Sequence, residues 1–190
     1  MNPRTVTVVS GLPRSGTSMM MKMLEAGGME VLTDQVRTAD ADNPKGYYEF
    51  ERVKQLEHDK AWLPRAEGRV VKIISQLLRH LPADYRYQVI FMRREMDEIL
   101  ASQKKMLVRR GEGTDKIPDE KLAALFQQHL DHVRVWLDDQ TNFDVIYVSY
   151  NDVLEHPQEE AERVNAFLDP DLDVRAMTGV VDPTLYRQRA

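Results

Sequence analysis

Near the start of the chain, Thr5-Val6-Thr7-Val8-Val9-Ser10 is β-branched and almost continuously apolar. A strand buried on both faces in a parallel sheet carries that pattern, whereas a half-buried strand would alternate. From Thr17 to Ala26 the period changes. Met19, Met20, Met23 and Leu24 recur at helical spacing, and Gly27-Gly28 ends the run. Further strands are expected at Arg69 to Ile74, Tyr87 to Met92 and Phe143 to Val148. The intervening periodicities predict short helices over Phe50 to Trp62, with Val53, Leu56 and Trp62 inward, and over Ser75 to Leu81, closed by Pro82. They also predict an amphipathic helix carrying Met96, Ile99, Leu100, Met106 and Leu107. A long helix from Glu120 to Asp138 should bury Leu122, Leu125, Phe126, Leu130, Val133, Trp136 and Leu137, and a last helix runs from Pro157 to Leu168.

Strands that alternate with helices imply an α/β fold of three layers, with a mostly parallel sheet of about four to five strands flanked by helices. Thr33 to Tyr48 and Gly111 to Thr114 are polar and rich in turn formers, and read as loops. No linker is long enough to divide the chain, so one domain over residues 1–190 is expected.

Composition narrows the chemistry. Hydrophobic residues make up 42% and charged residues 30%, with a formal net charge of -5. That charge argues against sequence-independent binding to nucleic acid, which needs a broad basic surface. There is no cysteine, which removes disulfides, thiolate catalysis and cysteine-held metals. Neither an export signal nor an apolar run long enough for a membrane span is evident, so a cytoplasmic protein with no membrane partner is expected.

The strand-to-helix junction carries the strongest motif. Gly11-Leu12-Pro13-Arg14-Ser15-Gly16-Thr17-Ser18 has the glycine spacing of a nucleotide phosphate loop. In such a loop, backbone N–H groups and a helix N-terminus converge on an anion. A Walker loop places lysine just before its Ser/Thr. Here that position is Thr17, and the cation is Arg14. The strand that would supply a magnesium-holding aspartate ends instead in Met92-Arg93-Arg94. Fixed cations with no evident metal ligand suit a phosphosulfate group.

Leu12-Pro13-Arg14-Ser15-Gly16-Thr17-Ser18 resembles the 5'-phosphosulfate loop of sulfotransferases, whose protein-tyrosine and bacterial branches favour arginine directly after the proline, as here. The resemblance implies that Arg14, Ser15, Gly16, Thr17 and Ser18 hold the phosphosulfate of 3'-phosphoadenosine 5'-phosphosulfate (PAPS), with no metal. Sulfotransferases also hold the 3'-phosphate with a strand-end arginine and a serine eight residues on, a spacing matched by Arg94 and Ser102. Arg93 adjoins Arg94, which leaves the register open, and either arginine has the alternative of pairing with Glu95 or Asp97. Tyr147 to Leu154 and Ala166-Phe167-Leu168 resemble a packing stretch of the family. The tail resembles that of small bacterial members and offers Arg187 or Arg189 to the donor, with a frayed basic tail as the alternative. The glycine-rich loop with which cytosolic members cover the 3'-phosphate is missing.

The catalytic assignment follows from the same likeness. Arg14 is the candidate for charge on the leaving phosphate oxygen. The family's Lys-Thr-His stretch corresponds to Lys72-Ile73-Ile74, which keeps the lysine and puts Ile74 in the histidine's place. The protein-tyrosine branch uses an early glutamate, and Glu49 is the corresponding base, with an exposed or N-capping carboxylate as the alternative. Tyr47 and Tyr48 are candidates for the acceptor pocket, and His80 is a fallback base. His129 and His132 lie one turn apart and read as a solvated face, without a third metal ligand. The implied activity is transfer of a sulfuryl group to a hydroxyl or amine of a small-molecule acceptor. A small-metabolite P-loop kinase and a nucleotide-binding protein without turnover are the other readings.

Overall fold

The computed structural model describes residues 4–34, 48–109, 111, 113, 117–168 and 171–182. Its centre is a parallel four-stranded sheet in the order β2-β1-β3-β4, formed by β1 (Thr5–Gly11), β2 (Val70–Lys72), β3 (Arg86–Arg93) and β4 (Phe143–Ser149). β1 is flanked on both sides, with Val9 opposite Lys72 on β2 and Gly11 opposite Met92 on β3. Arg93 is opposite Ser149 on β4. All four strands therefore deliver their carboxyl ends to one edge, where sheets of this kind bind ligands.

The period of two along each strand sorts the core into two faces. Val6, Val8, Val71, Ile73, Val89 and Phe91 lie in one cluster. Val9, Val70, Ile90, Met92 and Val148 lie in the other. The second face is covered by α1 (Thr17–Ala26), α4 (Tyr150–Glu155), α5 (Pro157–Leu168) and α6 (Val174–Gly179), with Met20, Met21, Met23 and Leu24 of α1 fully buried. The first face is covered by the segment 50–85, through Phe50, Leu56, Trp62, Leu63 and Leu78, and by the second arm of a helical hairpin. α2 (Met96–Arg109) leads out and α3 (Asp119–Asp138) returns across the sheet.

The expected helix from Phe50 to Trp62 is reduced to a 3-10 helix at Glu51–Gln55, and a second 3-10 helix follows it at Leu63–Ala66. Asp59 is the cause. Its carboxylate accepts from both Arg52 Nε and Nη2 at 2.8 Å and from the Ala61 amide at 3.1 Å, so the chain turns around a side chain instead of continuing its ladder. Val53, Leu56 and Trp62 nevertheless point inward, as their spacing predicts. Ser75–His80 is likewise 3-10. The stripe on α3 is only partly used. Leu130, Val133 and Trp136 pack against the first cluster and Leu137 is buried, but Leu125 stays 46% exposed. A helix of this length outreaches a narrow sheet, and only its C-terminal half lies over the core. α6 was not expected. It is a short turn capped by Asp173, whose carboxylate accepts from the Ala176 amide at 2.9 Å.

Candidate active site

The loop after β1 owes its shape to three unusual backbone positions. Gly11 has φ 141°, and a Cβ there would meet the Met92 carbonyl at 2.6 Å. Arg14 has φ 74°, which a non-glycine residue seldom adopts. Gly16 has φ 98° at the N-cap of α1, and a Cβ there would meet the Tyr150 ring at 2.5 Å. The Ser15 amide closes the turn by donating to the Leu12 carbonyl at 3.2 Å. No side chain caps α1 among the described residues. The Met19 and Met20 amides both donate to the Gly16 carbonyl, at 3.0 and 3.2 Å, and the helix start faces the same edge as the loop. Ser15 is 1% exposed, and its hydroxyl is without a hydrogen-bond partner. A cradle without side chains, a capless helix start and an orphaned buried hydroxyl fit a bound phosphate or phosphosulfate oxygen.

The cations that sequence reasoning selected converge on this loop. Arg14 Nε donates to Ser102 Oγ at 2.9 Å across 88 positions of sequence. Arg94 Nη1 donates to the Arg14 carbonyl at 3.2 Å. Lys72, at the end of β2, donates through Nζ to Ser18 Oγ at 3.4 Å. Arg14, Arg94 and Ser102 thus form one hydrogen-bonded group, and Lys72 with Ser18 forms a second at the start of α1. Thr17 opens α1 beside Ser18.

The two adjacent arginines differ in environment. The Arg94 side chain is 7% exposed, and its Nε donates to Glu98 Oε2 at 2.7 Å, one turn along α2. Its guanidinium also lies 4.2 Å from the centroid of Tyr150. Burial raises the Tyr150 phenol, and Arg94 opposes that rise. Glu98 is itself 3% exposed and accepts from Asn151 Nδ2 at 3.1 Å. Arg94 therefore pairs with Glu98, four residues on in the first turn of α2. Arg93 points outward and stacks over Tyr147, 4.0 Å from its centroid. Glu98, Tyr150 and Asn151 were not singled out from the sequence. The only local signal was the spacing of four between Arg94 and Glu98.

Glu49 is held by its backbone. Its carbonyl accepts from Thr33 Oγ1 at 2.8 Å, and Thr33 follows Val31, which is bridged to Val70 beside β2. This carries Glu49 toward the β2 side of the edge. Its carboxylate lies 3.9 Å from Lys54 Nζ. Tyr48 does not face the loop. Its hydroxyl donates to Glu25 Oε2 at 2.6 Å, at the far end of α1, and burial pushes the phenol well above its ordinary range. His80 sits at the end of its 3-10 helix, 3.4 Å from Arg79 Nε. His129 is not on a solvated face. It is half-buried with Nε2 2.9 Å from Ser75 Oγ, and burial lowers its pKa. Among the described residues no group of three or more acidic or histidine side chains is arranged to hold a metal, and no helix is long and apolar enough to cross a membrane. Tyr47, Arg187 and Arg189 lie outside the described residues.

The sulfotransferase-domain family model matches residues 4–187. The chain belongs to the sulfotransferase family. The sulfotransferase domain of an olefin synthase from Synechococcus PCC 7002 superposes with a TM-score of 0.61 at 17% identity, over 100% of this chain and 89% of that one. It shares the fold. A sulfotransferase from Alicyclobacillus acidocaldarius aligns at 15% identity and a TM-score of 0.49, over 97% of this chain and 88% of that one. A mouse sulfotransferase complexed with PAP aligns at 14% and 0.48, over 93% and 62%. Among curated protein sequences none matches this sulfotransferase.

Proposed function

We propose that this sulfotransferase moves a sulfuryl group from PAPS to a hydroxyl or amine of a small-molecule acceptor, as one domain over residues 1–190. The observation that carries this reading is the 2.9 Å bond between Arg14 and Ser102, with Arg94 on the Arg14 carbonyl. It joins the loop suited to a 5'-phosphosulfate to the arginine and serine suited to a 3'-phosphate. A donor bearing both groups fits that pairing, whereas a nucleoside triphosphate does not need the second clamp. Arg14, Ser15, Gly16, Thr17 and Ser18 hold the phosphosulfate, and Arg94 and Ser102 hold the 3'-phosphate. Arg187 is assigned to the donor by resemblance alone.

In the transfer, the acceptor oxygen or nitrogen attacks sulfur as the bond from sulfur to the 5'-phosphate oxygen breaks. The leaving phosphate gains negative charge, which Arg14 and Lys72 stabilise from fixed positions. Glu49 takes the acceptor's proton. A kinase reading is disfavoured by Thr17 in the lysine position and by a third strand that ends in arginines. The test is transfer of sulfuryl from PAPS to an acceptor panel, read by mass. Glu49→Gln should slow turnover by about 10²–10⁴-fold, the usual contribution of a general base, while leaving the affinity for adenosine 3',5'-bisphosphate intact. Transfer at the wild-type rate in Glu49→Gln rejects that base.

A further inference from the structure

A cleft of about 330 Å³ opens between the carboxyl ends of β3 and β4 and the C-terminal half of α3. Phe91, Met96, Ile99 and Leu130 supply its apolar lining. Its inner wall is the phosphate loop itself, through Leu12 and the buried, unpartnered Ser15. Its size is at the small end of the usual range for ligand sites, about 300–1,000 Å³.

Besides Arg94, which is tied to Glu98 and the Arg14 carbonyl, two guanidiniums meet there from different elements. Arg93 comes from the end of β3 and lies over Tyr147, and Arg134 comes from α3 into the same cleft. Both act on one phenol. Burial raises Tyr147, Asp138 adds to the rise, and Arg93 and Arg134 both oppose it. Neither arginine forms an ion pair among the described residues. The cleft also has two carboxylates. Asp131 Oδ1 accepts from Gln127 Nε2 at 3.1 Å, along the surface of α3. Glu95 is on the exposed rim. Two unpaired guanidiniums over an apolar floor are suited to a planar anion attached to a short apolar body.

We infer that this cleft is the acceptor subsite, and that Arg93 and Arg134 select acceptors in which the reacting hydroxyl or amine is joined through a short apolar body to a carboxylate or similar anion. The inference rests on the sulfotransferase reading, which supplies the reacting sulfur at the loop. An acceptor seated here has its anion on Arg93 and Arg134 and its other end against Leu12 and Ser15. The cleft thus chooses the acceptor, while Arg14, Arg94 and Ser102 hold the donor.

The test uses the full chain and three phenols of matched size, p-hydroxybenzoate, its methyl ester and tyramine. They are titrated by ligand-observed NMR with and without adenosine 3',5'-bisphosphate. The expected result is binding of p-hydroxybenzoate, with the ester and the amine at least about tenfold weaker, since one charge-assisted contact accounts for that ratio. Arg134→Ala and Arg93→Ala should each weaken p-hydroxybenzoate by at least about fivefold, and Arg134→Ala should leave bisphosphate affinity unchanged. Equal binding of the three phenols, no binding of p-hydroxybenzoate, or an Arg134→Ala variant that binds it normally would each overturn the inference. So would a loss of bisphosphate affinity in Arg134→Ala, which would give the cleft to the donor. Failure of the wild-type chain to bind bisphosphate is a separate outcome, and removes the sulfotransferase reading on which the inference stands.

Discussion

Arg94 and Glu98 form a buried ion pair, with side chains 7% and 3% exposed. Burying two charges costs more than their attraction usually returns, so such a pair is weak evidence for stability on its own. Its value here is positional. Glu98 accepts from Arg94 and Asn151, Arg94 reaches the Arg14 carbonyl, and Arg14 is held at a φ of 74°. Removing one partner leaves the other buried and unpaired. Glu98→Ala should therefore destabilise the fold by about 3–5 kcal/mol in urea unfolding, and also weaken binding of the bisphosphate. An unchanged midpoint with normal binding would show that Arg94 does not depend on Glu98. Double substitution with Arg94→Met should recover part of the stability, because no buried charge then remains, but none of the binding.

At the scale of elements, His129 is the tie between α3 and the 3-10 helix after β2, through Ser75. Burial lowers its pKa from the ordinary 6.5, with Arg79 and His132 acting in the same direction. In the unfolded chain it titrates near 6.5, so just below that pH the unfolded state binds more protons than the folded one. Stability should then rise with pH through this window, and the contribution is lost as pH falls from about 6.5 toward the lower folded value. Unfolding midpoints measured between about pH 5 and 7.5 should show that slope in the wild type and a flatter one in His129→Gln. Equal slopes would place His129 outside the coupling. This tie was hidden from the sequence, because only contact with Ser75, 54 positions away, distinguishes a packed histidine from a solvated one. The broken helix before Trp62 was hidden for a related reason. Its period was correct, but Asp59 spends its carboxylate on Arg52 and Ala61. α6 is too short to show a period.

For the whole molecule, the legible part was the sheet. A strand buried on both faces must be apolar throughout, and Val6 to Val9, Val89 to Met92 and their partners could serve no other element. Parallel order then brings Gly11, Lys72, Arg93 and Ser149 to one edge without further information. The phosphate loop was legible from glycine spacing. The spacing of eight between Arg94 and Ser102 suggested the proposed clamp, but gave no sign that Ser102 bonds to Arg14. Long-range side-chain contacts leave no periodic trace. The cleft beneath α3 is also a tertiary product, since Arg93 and Arg134 meet only when the hairpin folds back over β4.

The central claim is that Arg14 links two phosphate sites of one donor. Calorimetric titration with adenosine 3',5'-bisphosphate in magnesium-free buffer tests it most directly. Saturable binding to the wild-type chain is expected, with an affinity at least about 30-fold weaker in Arg14→Ala, because charge-assisted hydrogen bonds contribute about 1.5–3 kcal/mol each. Equal affinity in the two proteins, or binding that appears only when magnesium is added, would contradict it.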